Sequence, residues 1–229
     1  MKERDNQNLR FSLNPVSIVL GSKRKKGLRC NYVASSLYGF YINTLKTGAT
    51  LQTLSNLLSN NLNFKDTPSA IQSFEFLMNE GDRSFYNILL PFLLSAKSAE
   101  EFEKDLRKRF FGVEQFIKHG NNLYHFLKYI ETQNAVSINA EDLKKGILGW
   151  DMGLLVCLVR AAQETGFINE KKAWKYIELA GEKCKTAFQN SEEIDKSFLI
   201  GYAMKTKEVK DWEELIRCYK LVKELDEKA

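Results

Sequence analysis

Apolar residues recur at three- and four-residue steps along most of the chain, the spacing that places them on one face of an α-helix. From 152 to 159 nearly every residue is apolar, which is typical of a helix buried in the middle of a protein. The next apolar face consists of Ala173, Trp174, Ile177, Ala180, Cys184, Ala187 and Phe188. Gly166 is a predicted helix stop between the two segments, and Asn169 is a predicted N-cap for the second. The pattern therefore predicts an antiparallel helical hairpin in which Trp174 packs toward the first helix.

The same spacing predicts helices over most of the remaining chain. Their approximate ranges are 31–46, 51–60, 67–80, 85–93, 98–106, 110–130, 139–149, 194–202 and 212–222. Ser98 and Glu101 have the spacing of a capping box, and Thr67 is a predicted capping residue before a proline that suits the first turn of a helix. Asn139 is a further predicted cap. Gly120 is expected to divide the 110–130 region into two short helices. About nine or ten helices then form an all-α fold, a single compact multi-helix domain with an extended N-terminal arm.

The N-terminal part of the chain differs from the rest. Residues 1–29 are predicted to form a flexible basic arm, extended over the apolar positions between Phe11 and Val19. Residues 30–229 are predicted to form one helical domain, because only three prolines occur and no Gly/Ser-rich linker divides the chain.

The net charge of +5 has a local origin. It comes from a short stretch that contains Lys23, Arg24, Lys25, Lys26 and Arg29. Setting these five aside leaves 29 basic residues against 29 acidic ones. Such a run is most simply an exposed, solvated loop, and weak phosphate or nucleic-acid binding by residues 23–29 is the alternative. Because nucleic-acid binders normally spread positive charge over a whole face, nucleic acid is not the expected partner.

Several functional classes receive no support from the composition. No apolar run approaches the roughly 20 residues of a membrane span, and the N-terminus lacks a secretory signal, so a cytoplasmic location is predicted. The four cysteines are widely spaced, as buried free thiols commonly are. His119 and His125 are six residues apart and do not share a helical face, so neither a metal site nor a cofactor is predicted.

Two charged residues bracket the buried segment. Asp151 and Arg160 are nine residues apart, which places them on opposite sides of a continuous helix. As structural residues, Asp151 would accept hydrogen bonds from free N–H groups at a helix N-terminus, and Arg160 would bond to a carboxylate or to helix C-terminal carbonyls. As functional residues, they would line a binding cleft together with Trp150 and Trp174. These four are the candidate binding residues.

From Gly149 to Tyr202 the chain has, in order, Trp-Asp, an Arg nine residues after the Asp, Gly-aromatic-Ile, Ala-Trp, a Phe and Leu-Ile-Gly-Tyr. This order resembles the pattern of the bacterial domain of unknown function 1266 family. Weaker similarity around 51–62, 76–77 and 81–83 extends the resemblance to about the last 180 residues. The chain has Leu154 and Ser191-Glu192 where the family pattern has an Arg and a Ser-Trp pair. The resemblance implies a helical fold and carries no activity.

Three functional hypotheses follow. Phosphate loops, nucleophile elbows, paired-histidine zinc motifs and dinucleotide fingerprints are all missing from the sequence, so no catalytic residue is assigned and an enzyme is not expected. The leading hypothesis is a non-catalytic factor, of an immunity or accessory type, that binds another protein through an exposed helical face. An unrecognised enzyme or small-ligand binder that uses the Trp/Asp/Arg cleft is the first alternative. The second is phosphate or nucleic-acid binding by residues 23–29.

Overall fold

The computed structural model describes residues 22–62 and 64–228. Its helices are α1 (Ser22–Arg29), α2 (Tyr32–Tyr38), α3 (Leu51–Leu62), α4 (Thr67–Asn79), α5 (Arg83–Ser95), α6 (Ala99–Arg109), α7 (Glu114–Gln133), α8 (Ala140–Lys144), α9 (Leu148–Glu164), α10 (Glu170–Ala187), α11 (Ser191–Lys205) and α12 (Val209–Glu227). No strand occurs in these ranges, so the predicted all-α fold is confirmed. The extended segment predicted between Phe11 and Val19 lies outside the described residues.

Helix α9 forms the centre of the core, as its apolar run predicts. It packs against α2, α3, α4, α10 and α11, and most of its residues are buried on every side. Glycines allow the closest of these approaches: a Cβ atom at Gly201 of α11 would lie 2.2 Å from the Cβ atom of Trp150. Because no side chain separates the two helices here, Trp150 packs directly on the α11 backbone.

The helix ends follow the polar residues that flank them. Ser98, Asn139 and Asn169 accept hydrogen bonds from backbone N–H groups in the first turns of α6, α8 and α10. The start of α4 is capped by Asp66, which precedes the expected capping residue Thr67. Gly166, with φ +84°, follows the end of α9 as predicted.

Residues 22–29 differ from the flexible arm predicted for 1–29, because they form α1. This helix lies along α10, and a Cβ atom at Gly181 would be 2.7 Å from the backbone nitrogen of Gly27. The two glycines bring the helices into backbone contact, while Lys23 pairs with Glu182 at 3.1 Å. The basic stretch is therefore ordered by close packing and by the acidic residues of its neighbour.

Two further differences concern helix boundaries. The helix predicted over 31–46 ends at Tyr38, because Gly39 takes a left-handed conformation with φ +69° and the chain continues as an irregular loop. Gly120 does not interrupt α7, which is continuous. A Cβ atom at Gly120 would lie 2.5 Å from the Leu106 side chain, so this glycine permits close packing of α6 on α7.

Candidate functional site

The carboxylate of Asp151 is fully buried and caps a helix other than its own. Its two oxygens accept hydrogen bonds from the backbone N–H groups of Asp82, at 2.8 Å, and Arg83, at 3.4 Å, where α5 begins. The Arg83 guanidinium also donates to Asp151, with Nη1 2.7 Å from Oδ2. The same guanidinium donates to the carbonyls of Leu77 and Met78 at the end of α4, both at 2.9 Å. Asp151 thus joins α4, α5 and α9.

Asp82 occupies the N-cap position of α5 but directs its side chain elsewhere. Trp150 Nε1 donates to Asp82 Oδ2 at 2.8 Å, and the Lys205 ammonium lies 2.7 Å from Oδ1. Because Lys205 is the last residue of α11, Asp82 links α9 to α11. The short connection between α4 and α5 is therefore held by both residues of the Trp-Asp pair.

Burial decides the protonation behaviour of this network. Burial raises the pKa of the Asp151 carboxyl to about 6, although Arg83 and the backbone of Asp82 act in the opposite direction. His119 lies close enough to the network to feel the charges of Lys205 and Asp82, and burial lowers its pKa to about 4. Near neutral pH Asp151 is thus ionised, although burial disfavours its charged form, and His119 is neutral.

Arg160 is also fully buried, and it belongs to a separate network. Its guanidinium donates to the carbonyls of Tyr41, Leu45 and Lys46, with the last at 2.8 Å, and to the Ser35 hydroxyl at 2.7 Å. No ion pair reaches Arg160 within the described part of the chain. Burial lowers the pKa of this guanidinium. Its donors hold the irregular loop that follows α2.

Glu164, one helical turn after Arg160, binds the same loop. The Thr47 backbone N–H donates to Glu164 Oε1 at 2.5 Å. A cation and a carboxylate on consecutive turns of α9 thus bind carbonyl and N–H groups of one loop. This explains how a loop with few backbone hydrogen bonds of its own can cover the central helix.

The four candidate binding residues do not converge on one cleft. Trp150 and Asp151 bind the α4–α5 connection, whereas Arg160 binds the loop after α2. Trp174 is buried under the Arg24 guanidinium, whose carbon lies 4.7 Å from the ring centroid, and its Nε1 donates to Glu170. Trp174 therefore contacts α1, and its expected packing toward α9 stays a prediction. A shared binding role for these residues stays a prediction.

The basic residues of α1 are only partly available to a ligand. Lys23 and Arg24 pair with glutamates of α10, and Arg29 pairs with Asp195 and Asp226, both at 2.6 Å. Lys25 and Lys26 are exposed and form no ion pair with the described residues. Three of the five cations therefore already have anionic partners.

A group of apolar side chains remains at the surface where α5, α6 and α7 meet. We call this group the phenylalanine patch; its members are Phe85, Ile88, Phe92, Phe110, Phe111, Val113 and Phe116. Their rings contact one another in a row: Phe85 stacks on Phe116 at 4.5 Å, Phe116 on Phe110 at 4.7 Å, and Phe92 meets Phe110 edge-on at 5.5 Å. Phe111, in the turn before α7, is 92% exposed. The patch combines an ordered aromatic base with one ring that projects into solvent.

The residues that sequence reasoning overlooked are those that complete these networks. The sequence pattern assigns no role to Asp82, Arg83 and Lys205, although residues 81–83 share in the resemblance to the family. The patch was overlooked because helical periodicity does not distinguish an apolar residue in the core from one at the surface. The one available signal was the sequence Phe110-Phe111 directly after the basic end of α6.

Metal clusters, membrane-spanning helices and disulfides are not found in the part of the chain that the structure describes. Over residues 22–62 and 64–228, no cluster of three or more His, Cys, Asp or Glu side chains could hold a metal ion. In the same ranges, no helix has the length and hydrophobicity needed to cross a bilayer. All four cysteines are free and buried.

The comparisons with known proteins point to one family. The family model described as "Protein of unknown function (DUF1266)" matches residues 57–226, which contain the Asp151 network and the phenylalanine patch. This match confirms the resemblance seen over Gly149 to Tyr202. The searches of curated proteins and of solved structures gave no match.

Proposed function

Because the chain belongs to the DUF1266 family of proteins of unknown function, we propose its function from the chemistry of its surface. The protein is a non-catalytic interaction factor that binds another protein through the phenylalanine patch. It acts in the bacterial cytoplasm, as a factor of the immunity or accessory type.

The observation that carries this proposal is the exposure of Phe111 on an ordered aromatic base. A phenylalanine side chain that is 92% exposed leaves a large apolar area in water. Scattered apolar residues are normal on protein surfaces, but contiguous apolar patches usually mark an interaction site. Ile88 and Val113, which are 47% and 45% exposed, add to the apolar area of the patch. Aromatic anchors of this kind supply much of the binding energy in protein interfaces.

The alternative of a ligand cleft at the Trp-Asp pair receives less support. The polar atoms of Asp151 and Arg160 bond to protein groups, and both side chains are sealed from solvent. A ligand would have to displace Arg83 from one of them or a loop from the other. Each displacement would leave a buried charge without its partners, which is costly.

The alternative of phosphate or nucleic-acid binding by the basic stretch is also weakened. A phosphate ligand would compete with Glu182, Glu178 and the two aspartates for the cations of α1. Only Lys25 and Lys26 remain without such partners among the described residues, and two lysines give a weak electrostatic attraction.

A parallel affinity capture tests the proposal. The wild-type protein and a Phe111→Ser variant are used as baits in extract from the native cells, with chemical crosslinking. We expect the wild type to retain a specific partner and the variant to lose most of it, because a central aromatic anchor commonly contributes about 2 kcal/mol or more to binding. Phe111 makes few contacts within the protein, so the variant should unfold at the wild-type temperature.

The matched control is Phe76→Ser. Phe76 lies on α4, outside the patch, and is 47% exposed, so its replacement removes a similar ring from a different surface. The control should capture the partner as the wild type does. Equal capture by all three baits, or no specific partner for any of them, would contradict the proposal.

A further inference from the structure

We infer that the phenylalanine patch binds an acidic segment of its partner, in which apolar side chains are flanked by carboxylates. This inference rests on the proposed function, because it specifies the partner that the same surface would bind. The charges around the patch, the order of its rings and the depression beside it favour such a partner.

The edge of the patch carries positive charges that the protein itself leaves unpaired. Lys108 and Arg109 immediately precede Phe110 at the end of α6, and Lys118 follows Phe116 by two residues on α7. All three are exposed, and none forms an ion pair with another described residue. Glu114, two residues before Phe116, lies 3.9 Å from Arg107. An apolar surface with a cationic rim is complementary to an apolar segment with an anionic rim.

The base of the patch is ordered before any partner binds. Phe85 and Phe92 project from one face of α5, and their rings are fixed against Phe116 and Phe110. Ile88 lies on the same face of α5, one turn from each of these phenylalanines. A surface that is already rigid loses little conformational entropy on binding, so it favours side chains that fit between fixed rings.

An open depression of about 550 Å³ adjoins the patch and offers polar groups to a partner. Its lining includes Arg107, Glu114, Lys118 and His119, and it lies along the same turns of α7 as Phe116. Arg107 already pairs with Glu103 and lies 3.9 Å from Glu114. Lys118 forms no ion pair with a described residue, so it can pair with a carboxylate of the partner.

A second copy of the chain fits this surface less well. In a symmetric dimer the same patch would face itself, so the cations Lys108, Arg109 and Lys118 of one copy would lie close to those of the other. Such like charges oppose association. An anionic bilayer would satisfy the charges, but most of the rings are half-buried and fixed side by side, and Phe111 alone projects fully. These features favour a protein segment over a membrane.

Peptide selection tests the chemistry directly. A library of random short peptides is selected on the purified protein, and the affinities of the enriched peptides are measured by fluorescence anisotropy. The same peptides are measured against Phe111→Ser, against the charge reversal Lys108→Glu/Arg109→Glu, and against the control Phe76→Ser. Thermal unfolding confirms that each variant folds.

We expect the enriched peptides to combine Leu, Ile, Phe or Trp with an excess of Asp and Glu. Phe111→Ser and the charge reversal should each weaken binding by about tenfold or more, and Phe76→Ser should leave it unchanged. Added salt should also weaken binding to the wild type, because exposed charges are screened.

The possible failures are distinguishable. Suppose that peptide binding depends on Phe111, but the peptides show no acidic excess or the charge reversal does not weaken their binding. This result would overturn the inference and leave the proposed function standing. Peptides that bind both variants as tightly as the wild type would overturn the inference. Equal partner capture by the Phe111→Ser bait would overturn the proposed function as well. Phe111-dependent binding to vesicles of equal parts phosphatidylserine and phosphatidylcholine, without any peptide selected, would replace the protein segment by a membrane. Phe111-dependent dimers in sedimentation would replace it by a second copy.

Discussion

Asp151 caps helix α5 in place of Asp82, the residue that stands at the cap position. Its carboxylate accepts the Asp82 backbone N–H at 2.8 Å, and this leaves the Asp82 side chain free to bind Trp150 and Lys205. Asp151 thus provides the helix cap, and Asp82, 69 positions away in the sequence, provides contacts to α9 and α11. Together they tie the α4–α5 connection to the central helix at two points.

Loss of the cation in this network should be costly. We expect Arg83→Met to lower the free energy of unfolding by about 3 kcal/mol at neutral pH, because it leaves the Asp151 carboxylate buried without its partner. Urea unfolding measures the change. The control Arg107→Met breaks an exposed pair with Glu103 and should cost less than about 1 kcal/mol. Equal effects would show that the buried pair contributes no more than a surface pair.

The same carboxyl should make stability depend on pH. Its pKa is raised to about 6 in the folded protein, above the value of about 3.9 in an unfolded chain. The folded state therefore holds a proton that the unfolded chain has released, and the resulting stabilisation, complete below about pH 4, is lost as the pH rises to about 6. We expect the stability of the wild type minus that of Asp151→Asn to fall across this window. A flat or rising difference, measured by urea unfolding at several pH values, would contradict the assignment.

Gly81 is required for two reasons, its left-handed backbone conformation and the close approach of Asp151. A comparison with Gly112 separates the two effects. Gly81 has φ +62°, and a Cβ atom there would lie 2.1 Å from Asp151 Oδ2. We expect Gly81→Ala to destabilise the protein by about 3 kcal/mol or more, from backbone strain and displacement of the carboxylate together. Gly112 has φ +79° with no atom within 4 Å of its Cβ position, so Gly112→Ala should show the strain alone, about 1–2 kcal/mol. Similar melting temperatures for the two variants would exclude a role for the carboxylate contact.

Arg160 should control the order of the loop after α2. We expect Arg160→Met to cost about 3 kcal/mol and to expose residues 39–50 to protease, because the carbonyls of Tyr41, Leu45 and Lys46 lose their donor. Glu164→Gln keeps an acceptor for the Thr47 N–H, so it serves as the control and should leave cleavage slow. Mass spectrometry of the fragments identifies the cut sites. Rapid cleavage outside this loop, or none, would contradict the role given to Arg160.

Local sequence signals predicted the elements far better than their connections. The caps at Ser98, Asn139 and Asn169 act within one helical turn, so residue type and spacing are enough to locate them. The helix break predicted at Gly120 was wrong for a different reason. A glycine can either end a helix or allow a neighbouring helix to approach, and at Gly120 the outcome depends on Leu106, which belongs to another helix.

The roles of the charged residues depend even more on distant parts of the chain. Helical geometry correctly separated Asp151 from Arg160, but it could not supply their partners, which lie more than 60 positions away. A buried charge in a sequence pattern predicts that some partner exists, and only the packing of the helices decides which one. The phenylalanine patch has the same limitation, since its exposure depends on how the described helices pack rather than on its own spacing.

The most direct test of the account is photocrosslinking from the patch in living native cells. A photoreactive amino acid is placed at position 111 in one variant and at position 76, on the other surface, in a second. The account predicts a discrete adduct from position 111 that contains one other protein, and no such adduct from position 76. The same yield and pattern of adducts from both positions, or none from either, would contradict a binding role for the patch.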